Sequence, residues 1–346
     1  LECSFAEVMP QPGATADSDL EEEALTASVE SFLASVSLTS YPNEAFSGRG
    51  IVVAAGGLRL LPPFYVTARL LRAHGCKLPI ELWVAAGEEP PPELERHLRH
   101  DLGVTVRSLE HVCPGGSATV FAGFAAKHFA LMLSSFREVL YLDADNLALE
   151  NPEFLFEEAA YNRTGAVAWP DYWPGTVNPS LLRALGILGP GETELPAGDV
   201  MQGSHESGQL LIDKRRHWRP LLLASHLTLA QRFVYPATIT PSEGVHGQGD
   251  KEVIALALRS LGVPFYRVPF PIASVGDSCD AGHFDEARPG SAHNVQRCAA
   301  DAFGFHGNTM AQHAPPRRSE PPRLLFLHRN CAKASAERER ERERER

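Results

Sequence analysis

Short apolar segments alternate with helix-like segments through the first half of the chain, and this alternation constrains the fold more than any other feature. The apolar segments are each short enough to form one buried strand, and they cover residues 50–55, 80–85, 104–106, 139–142 and 165–169. Helical spacing of apolar residues is found between them, at residues 65–74, 91–102 and 127–135. Repeated strand–helix units predict an α/β domain with a mostly parallel, Rossmann-like sheet and helices on both faces.

The two ends of the chain differ in composition from this central region. Residues 1–48 are rich in Ala, Ser, Glu and Pro and predict a stem or accessory segment, with a helix at 19–38. Residues 334–346 end in a Glu-Arg alternation that exposes charge on every side and predicts a solvated tail without chemistry. The folded domain is therefore expected to cover residues 49–333, with further strands at 210–212 and 324–327 and a helix at 252–261.

Composition excludes several classes of function. The 346 residues carry a formal net charge of −11, and the basic residues are scattered, so nucleic acid is not expected as a partner. The six cysteines lack CxxC spacing, which argues against a structural zinc site, and one or two disulfides remain compatible with their even count. No apolar run is long enough to span a membrane and no signal peptide opens the chain, so we expect any membrane anchor to lie outside this sequence.

An acidic pair, Asp143 and Asp145, directly follows the apolar strand at 139–142. Ligands of parallel sheets bind at the carboxyl ends of the strands, which is where this pair falls. Two carboxylates on nearby loop positions suit Mn²⁺ or Mg²⁺, and such an ion can neutralise the diphosphate of a leaving nucleotide. The pair therefore predicts a divalent metal site, although Asp is also a common turn residue after a strand.

Phosphatases that form an aspartyl-phosphate intermediate also place Asp-x-Asp after a hydrophobic strand. Their pair usually continues with Thr or Val and follows the first strand of the domain. In this chain Asn146 and Leu147 follow the pair, and several strand–helix units precede it. The phosphatase interpretation is therefore disfavoured.

Five stretches, spread over about four-fifths of the chain, resemble one known family. They cover residues 48–57, 75–83, 127–146, 169–174 and 206–214, and weaker similarity follows at 249–251 and 326–330. In this order they resemble the fungal-type Golgi α-mannosyltransferases that add branches to N-glycan outer chains and mannan. The resemblance implies a GT-A-like fold, a GDP-mannose donor, a mannose-containing glycan acceptor, retention of anomeric configuration, and a lumenal catalytic domain at the Golgi membrane.

The resemblance assigns roles on the donor side of the expected site. Lys127 resembles the donor-contacting lysine of the family, and His328 resembles the late histidine that completes the metal shell beside Asp143 and Asp145. Gly56 and Gly57 close the first strand, and a turn without side chains lets backbone N–H groups approach the nucleotide.

Three polar residues are candidates for contact with sugars. Glu206 and Gln209 precede the strand at 210–212 and are expected to contact hydroxyls of the transferred sugar, the alternative being a solvated loop. Asp250 is interpreted either as an acceptor-side base or as the N-cap of the helix at 252–261. Glu206 and Asp250 are also the first candidates for a carboxylate nucleophile, as in glycosidases with closely spaced carboxyls, while front-face attack remains the alternative.

Aromatic residues follow the predicted strand at 165–169. Trp169, Tyr172 and Trp173 are candidates for stacking against sugar rings, with a position in the core as the alternative. Asp171 lies among them and is a candidate for binding sugar or acceptor.

Two other functional classes fit parts of the pattern. A transferase that uses UDP-glucose or UDP-galactose would share every feature of the metal site. A non-catalytic glycan-binding module of the same fold could dispense with metal ligands, so the presence of Asp143, Asp145 and His328 counts against it. Residues 186–205 and 279–311 have no counterpart in the family pattern, which leaves the acceptor and the linkage open.

Overall fold

The computed structural model describes residues 18–36, 39–112, 125–174, 177–230, 234, 250–278, 305–317 and 320–328. Eleven strands lie in these residues: β1 (Arg49–Ala54), β2 (Ile80–Val84), β3 (Val104–Ser108), β4 (Glu138–Leu142), β5 (Asn146–Ala148), β6 (Ala166–Pro174), β7 (Gly203–Asp213), β8 (Tyr266–Arg267), β9 (Ala273–Ser278), β10 (Phe305–His313) and β11 (Leu324–His328). Nine α-helices accompany them: α1 (Ser18–Val36), α2 (Gly57–Ala73), α3 (Pro92–Leu102), α4 (Leu109–Val112), α5 (Ala125–Leu133), α6 (Ala159–Thr164), α7 (Pro179–Ala184), α8 (Trp218–Leu229) and α9 (Val253–Ser260). Two 3₁₀ helices lie at Pro152–Glu157 and Val200–Gln202.

Seven strands form the main sheet, in the order β3-β2-β1-β4-β7-β6-β8. Strands β3, β2, β1 and β4 pair in parallel, and β6 pairs in parallel with β8. Strand β7 runs antiparallel to both of its neighbours, β4 and β6. The predicted mostly parallel sheet is therefore confirmed.

Helices cover both faces of this sheet because successive side chains of a strand point to opposite faces. Val52 and Ile212 pack in a core with α1, α5, α7, α8 and α9. Their neighbours Ile51 and Leu211 pack in a second core with α2 and α3. The α/β class with two helical layers, predicted from strand–helix alternation, is confirmed.

A second, four-stranded sheet has the order β5-β11-β10-β9 and is antiparallel throughout. The sequence analysis predicted only its β11. In the register of β5 and β11, His328 pairs with Asn146, the first residue of β5. This pairing places the C-terminal end of β11 beside the loop that follows β4.

Several boundaries differ from the predicted ones. Helix α2 begins at Gly57 and not at residue 65, and it contains Pro62 and Pro63. The prediction was based on the apolar spacing within residues 65–74. Proline is unfavourable inside a helix, but Pro63 is buried and its packing outweighs that propensity. Strand β6 extends to Pro174, and β7 includes residues 206–209, so the solvated-loop interpretation of this segment is wrong.

The segment before β1 packs on the domain through α1, which matches the helix predicted at 19–38 to within two residues at each end. Val29 and Phe32 are buried in the first core. No helix among the described residues combines the length and apolar composition needed to cross a bilayer. The tail at 334–346 and every cysteine except the buried Cys76 lie outside the described residues.

Candidate active site

Two carboxylates and one imidazole meet where the main sheet joins the second sheet. Asp143 and Asp145 follow β4, and His328 ends β11. His328 Nε2 lies 3.3 Å from Asp145 Oδ1 and 3.7 Å from Asp143 Oδ2. One ligand atom from each residue lies within 4.8 Å of the others, and Asp145 and His328 are buried. The three residues that the sequence analysis assigned to a metal are therefore brought together.

Backbone contacts from β7 fix the turn that carries the two aspartates. The N–H of Asp143 donates to the carbonyl of Gly208 at 2.8 Å, and Asn146 Nδ2 donates to the same carbonyl at 2.8 Å. Asn146 also donates to Gln209 Oε1. A Cβ at Gly208 would lie 2.5 Å from His328 Cε1, so only glycine permits this close approach of β7 to the imidazole.

Glu206 holds the other side of the imidazole. Its Oε1 lies 3.3 Å from His328 Nδ1 and accepts the N–H of Gly208 at 2.7 Å. Burial raises the pKa of Glu206, but the charge of His328 outweighs burial and lowers it. Burial lowers the pKa of His328, but Glu206 and Asp145 outweigh burial and raise it. The imidazole therefore lies between the carboxyl groups of Glu206 and Asp145, which hold it in one orientation.

Lys127, on α5, connects the cluster to Asp250. Its Nζ lies 2.9 Å from Asp143 Oδ2, 3.3 Å from Asp250 Oδ2 and 3.3 Å from Ser207 Oγ. Burial disfavours the charged amine, but the charges of Asp143 and Asp250 outweigh burial and raise the pKa of Lys127. The charged amine of Lys127 therefore has a fixed position beside these carboxylates, where it can bind an anionic ligand.

Asp250 is buried, and its environment differs from that of a capping residue. Burial and the charge of Asp143 raise its pKa, whereas Lys127 opposes this shift. The N-cap of α9 is Glu252, and no side chain caps this helix by a hydrogen bond. The capping interpretation of Asp250 is therefore wrong, and its carboxylate belongs to the site.

A cleft of about 510 Å³, open solvent included, adjoins this cluster. The residues that line it include Lys127 and His128 of α5, His205 and Glu206 of β7, and Asp250 and Lys251, which precede α9. The sequence analysis missed His128, His205 and Lys251. The weak family similarity at 249–251 gave a signal for Lys251, whereas His205 fell in a segment without a family counterpart.

Other predicted site residues have different surroundings. The N–H of Gly57 donates to the carbonyl of Glu88 at 3.0 Å, and a Cβ at Gly56 would lie 2.6 Å from Glu88 Cβ. Gln209 is fully buried beside Asn146, and its Nε2 has no hydrogen-bond partner among the described residues. The roles of Gly56 and Gly57 toward the nucleotide and of Gln209 toward the transferred sugar stay predictions.

The aromatic candidates divide between the core and the undescribed part of the structure. Trp169 is fully buried, donates its Nε1 to the carbonyl of His313 at 2.8 Å and packs against Phe326, so its core interpretation is correct. Tyr172 and Trp173 lie in β6, but their side chains are outside the described part. Asp171 is buried and pairs with Lys251 at the cleft.

The donor set of the cluster fits a divalent cation. Carboxylate oxygens suit hard ions such as Mg²⁺ and Mn²⁺, and one imidazole nitrogen is compatible with Mn²⁺. Glu206 orients the ring of His328 from its second nitrogen, which is how metal-binding histidines are usually held. Asp143, Asp145 and His328 can therefore hold such an ion, with Lys127 adding positive charge beside it.

Two solved glycosyltransferases resemble the structure at low similarity. The glycosyltransferase GlyE of Streptococcus pneumoniae TIGR4 matches with a TM-score of 0.38 and 17% identity, over 64% of this chain and 46% of that chain. The galactosyltransferase LgtC matches with a TM-score of 0.34 and 17% identity, over 62% of this chain and 72% of that chain.

Comparison of sequences gives closer relatives. Alpha-1,2-mannosyltransferase MNN21 of Candida albicans is 31% identical over 296 residues, which cover 70% of this chain and 44% of that protein. Alpha-1,2-mannosyltransferase MNN2 of Saccharomyces cerevisiae is 27% identical over 323 residues, which cover 85% of this chain and 50% of that protein. The chain thus spans half or less of the length of these two relatives. The family model described as "Mannosyltransferase putative" matches residues 48–196 and 194–313, and the chain belongs to this mannosyltransferase family.

Proposed function

We propose that this chain transfers an α-mannosyl unit from GDP-mannose to a hydroxyl of a mannose-containing glycan, with Mn²⁺ or Mg²⁺ as cofactor. The observation that carries the proposal is the cluster of Asp143, Asp145 and His328 in a chain of a mannosyltransferase family. The two relatives named above are alpha-1,2-mannosyltransferases, which supports mannose as the sugar and an α-1,2 linkage. The resemblance to fungal Golgi enzymes supports the Golgi lumen as the place of action.

The residues of the cluster have complementary roles in this proposal. A divalent ion bound there would neutralise the charge that develops on the leaving diphosphate. Asp143, Asp145 and His328 would hold this ion, and Glu206, 3.3 Å from His328 Nδ1, would fix the orientation of the imidazole. Lys127 adds a compact charge suited to phosphate, because its Nζ already lies among carboxylates that fix its position.

Retention of configuration is part of the proposal and rests on the family resemblance. Two carboxylates outside the metal cluster border the cleft, Glu206 and Asp250. Glu206 is held by His328 and by the N–H of Gly208, whereas Asp250 faces Lys127. Both are candidates to stabilise positive charge on the sugar or to act as the nucleophile. In a front-face attack no enzyme nucleophile is needed, and they would only stabilise this charge.

Donor turnover tests this function directly. The purified protein is incubated with a mannose-containing glycan acceptor and with GDP-mannose, UDP-glucose or UDP-galactose, each with Mn²⁺ or with EDTA, and release of nucleoside diphosphate is measured. We expect turnover with GDP-mannose alone, abolished by EDTA and lowered roughly a thousandfold by Asp145→Ala. The matched control is Asp101→Asn, which changes an exposed aspartate of α3 and should leave turnover unchanged.

The other outcomes separate the remaining interpretations. Turnover with a UDP-sugar alone would overturn the GDP-mannose donor while retaining the metal site. Absence of metal-dependent turnover with every donor would overturn the catalytic function and favour a glycan-binding module.

A further inference from the structure

A histidine and a glutamate outside the metal cluster form a buried pair at the cleft. His205 lies on β7 and Glu252 precedes α9, and each side chain is 2% exposed. Glu252 Oε2 accepts the Nδ1 hydrogen of His205 at 2.9 Å, and its Oε1 accepts the backbone N–H of His205 at 2.9 Å. Ser204 Oγ donates to the same oxygen at 2.6 Å. These bonds keep Glu252 ionised against burial, since they lower its pKa.

The pair fixes which nitrogen of His205 is left for a ligand. An ionised carboxylate only accepts hydrogen bonds, so Nδ1 carries a hydrogen, and in the tautomer with its single hydrogen on Nδ1 the other nitrogen, Nε2, is an acceptor. Nε2 is buried and has no hydrogen-bond partner among the described residues. Buried nitrogen atoms nearly always have a partner, because leaving one unpaired is costly. The ring is therefore oriented for a hydrogen-bond donor that the described residues do not supply.

The position of His205 indicates the chemistry of that donor. His205 lines the same cleft as Lys127 and Glu206. These two residues also contact the metal cluster, Lys127 through Asp143 at 2.9 Å and Glu206 through His328 at 3.3 Å. In a nucleotide sugar the hexose is bonded directly to the diphosphate, so a cleft beside the diphosphate site is where the hexose belongs.

The composition of the cleft also suits a hexose. Its apolar wall includes Leu210, Ile254 and Leu258, while Asp171 pairs with Lys251 at its edge. A mostly apolar pocket with a few fixed polar groups is typical of small-molecule sites, in which the polar groups determine orientation. In such a pocket, a sugar hydroxyl can donate a hydrogen bond to an imidazole nitrogen that has no other partner.

We propose that Nε2 of His205 accepts a hydrogen bond from one hydroxyl of the transferred hexose, and that Glu252 positions the imidazole for this contact. This inference rests on the proposed function, since it needs a nucleotide sugar at the metal cluster. His205 is thus a specificity-determining residue that contacts the donor sugar, and Glu252 acts through it.

Paired variants of His205 separate the contact with sugar from the contact with Glu252. The amide of His205→Asn reaches the place of Nδ1 and leaves nothing at Nε2, whereas the longer amide of His205→Gln reaches the place of Nε2. With GDP-mannose and Mn²⁺, we expect kcat/KM to fall at least tenfold in His205→Asn and less in His205→Gln. His226→Phe is the control, because His226 is a buried histidine on α8 that does not line the cleft.

Deoxy donors identify the contact itself. GDP-mannose and its 2-, 3-, 4- and 6-deoxy derivatives are compared by kcat/KM and by equilibrium binding with Mn²⁺, for the wild-type protein and both His205 variants. With the wild-type protein, we expect kcat/KM of one deoxy derivative to be at least tenfold below that of GDP-mannose. With His205→Asn, we expect this difference to be small. For each protein, kcat/KM of a deoxy derivative is divided by kcat/KM of GDP-mannose. Comparing this ratio between proteins cancels the intrinsic reactivity of each donor. If His205→Asn does not fold, His205→Ala, which also leaves nothing at Nε2, is compared in its place.

The outcomes distinguish this inference from the proposed function. If the wild-type protein neither binds nor turns over GDP-mannose, the proposed function fails and this inference fails with it. If the wild-type protein is active but every deoxy donor loses the same factor in kcat/KM with the wild-type protein and with His205→Asn, only the role of His205 is overturned.

Discussion

His328 Nε2 lies 3.3 Å from Asp145 Oδ1, although the two residues are far apart in the sequence. The contact exists because β11 pairs with β5, which follows Asp145 directly and places His328 opposite Asn146. The second sheet thus delivers the imidazole to the end of the main sheet. Its position in the fold, and not local sequence, makes His328 part of the cluster.

Replacing His328 tests whether this contact serves a metal. His328→Ala removes one of three candidate ligands, so we expect the Mn²⁺ concentration for half-maximal turnover to rise at least tenfold. The measurement is a Mn²⁺ titration of GDP-mannose turnover. His100→Ala, at an exposed position on α3, is the control. An unchanged Mn²⁺ requirement in His328→Ala would remove this residue from the metal site.

The residues of this site differ in how far the sequence could predict them. Asp143 and Asp145 were predictable from local pattern, because an apolar strand that ends in acids marks the carboxyl edge of a parallel sheet. His328 depends on strand pairing that no local pattern encodes, and only the family resemblance indicated it. His205 was missed because its partner Glu252 is distant in sequence and because its own segment matched nothing in the family pattern.

Gly208→Ala tests the close approach of β7 to the imidazole. The added Cβ would lie 2.5 Å from His328 Cε1 and 2.6 Å from its Nδ1, so the ring must shift from its position between Asp145 and Glu206. We expect the Mn²⁺ requirement to rise at least tenfold, with a loss of stability of about 1–3 kcal/mol from overpacking. Gly189→Ala is the control, since its Cβ would meet only the flexible end of Glu192. A wild-type Mn²⁺ dependence in Gly208→Ala would contradict this account.

Lys127→Met tests the proposed contact with the donor phosphates. The substitution removes the cation from between Asp143 and Asp250 and leaves two carboxylates facing the diphosphate. We expect affinity for GDP, measured by calorimetry with Mn²⁺ present, to fall at least tenfold. Lys77→Met, at an exposed position, should bind GDP as the wild-type protein does. Equal affinity in both variants would assign Lys127 a purely structural role.

The strands that the sequence predicted correctly are those in which burial requires a continuous run of apolar residues. Residues 50–53 and 139–142 are buried on both faces, and their continuous apolar runs identify central strands. The polar residues 206–209 of β7 gave no such signal, because their contacts are with the aspartate turn and His328, which are distant in the sequence. Strand β5 is only three residues long and exists through its partner β11.

A buried lysine gives a prediction on stability. Lys214 is fully buried, and its Nζ donates to the carbonyls of Met132 and Ser134 at 3.1 and 2.7 Å and lies 3.5 Å from the ring centroid of Phe46. These carbonyls end α5, which carries Lys127. Lys214→Met would leave them without this donor, and we expect the free energy of unfolding to fall by about 2–4 kcal/mol. Chemical denaturation measures this, and a change below about 0.5 kcal/mol would contradict the prediction.

The contact between α1 and α8 predicts a pH dependence of stability. The ring of His226 stacks on Phe32 at 4.2 Å, its Nε2 lies 3.0 Å from Ser28 Oγ, and burial lowers its pKa from 6.5 to about 4. Between these pH values the unfolded chain binds a proton that the folded protein does not bind. The free energy of unfolding therefore falls as pH falls through this window, by at most about 1.4 kcal/mol per pH unit from this residue.

His226→Phe keeps the ring stack and removes the titrating group, so this part of the pH dependence should disappear. Burial also lowers the pKa of His128 and of His217, and both act in the same direction. Because both remain in the variant, the difference between the two stability curves isolates His226. Urea denaturation from pH 4 to pH 7.5 gives these curves for both proteins. We expect the curves to converge toward acid pH if the wild type is the more stable at pH 7.5, and to diverge if it is the less stable. A constant difference across this range would show that His226 titrates alike in the folded and unfolded protein.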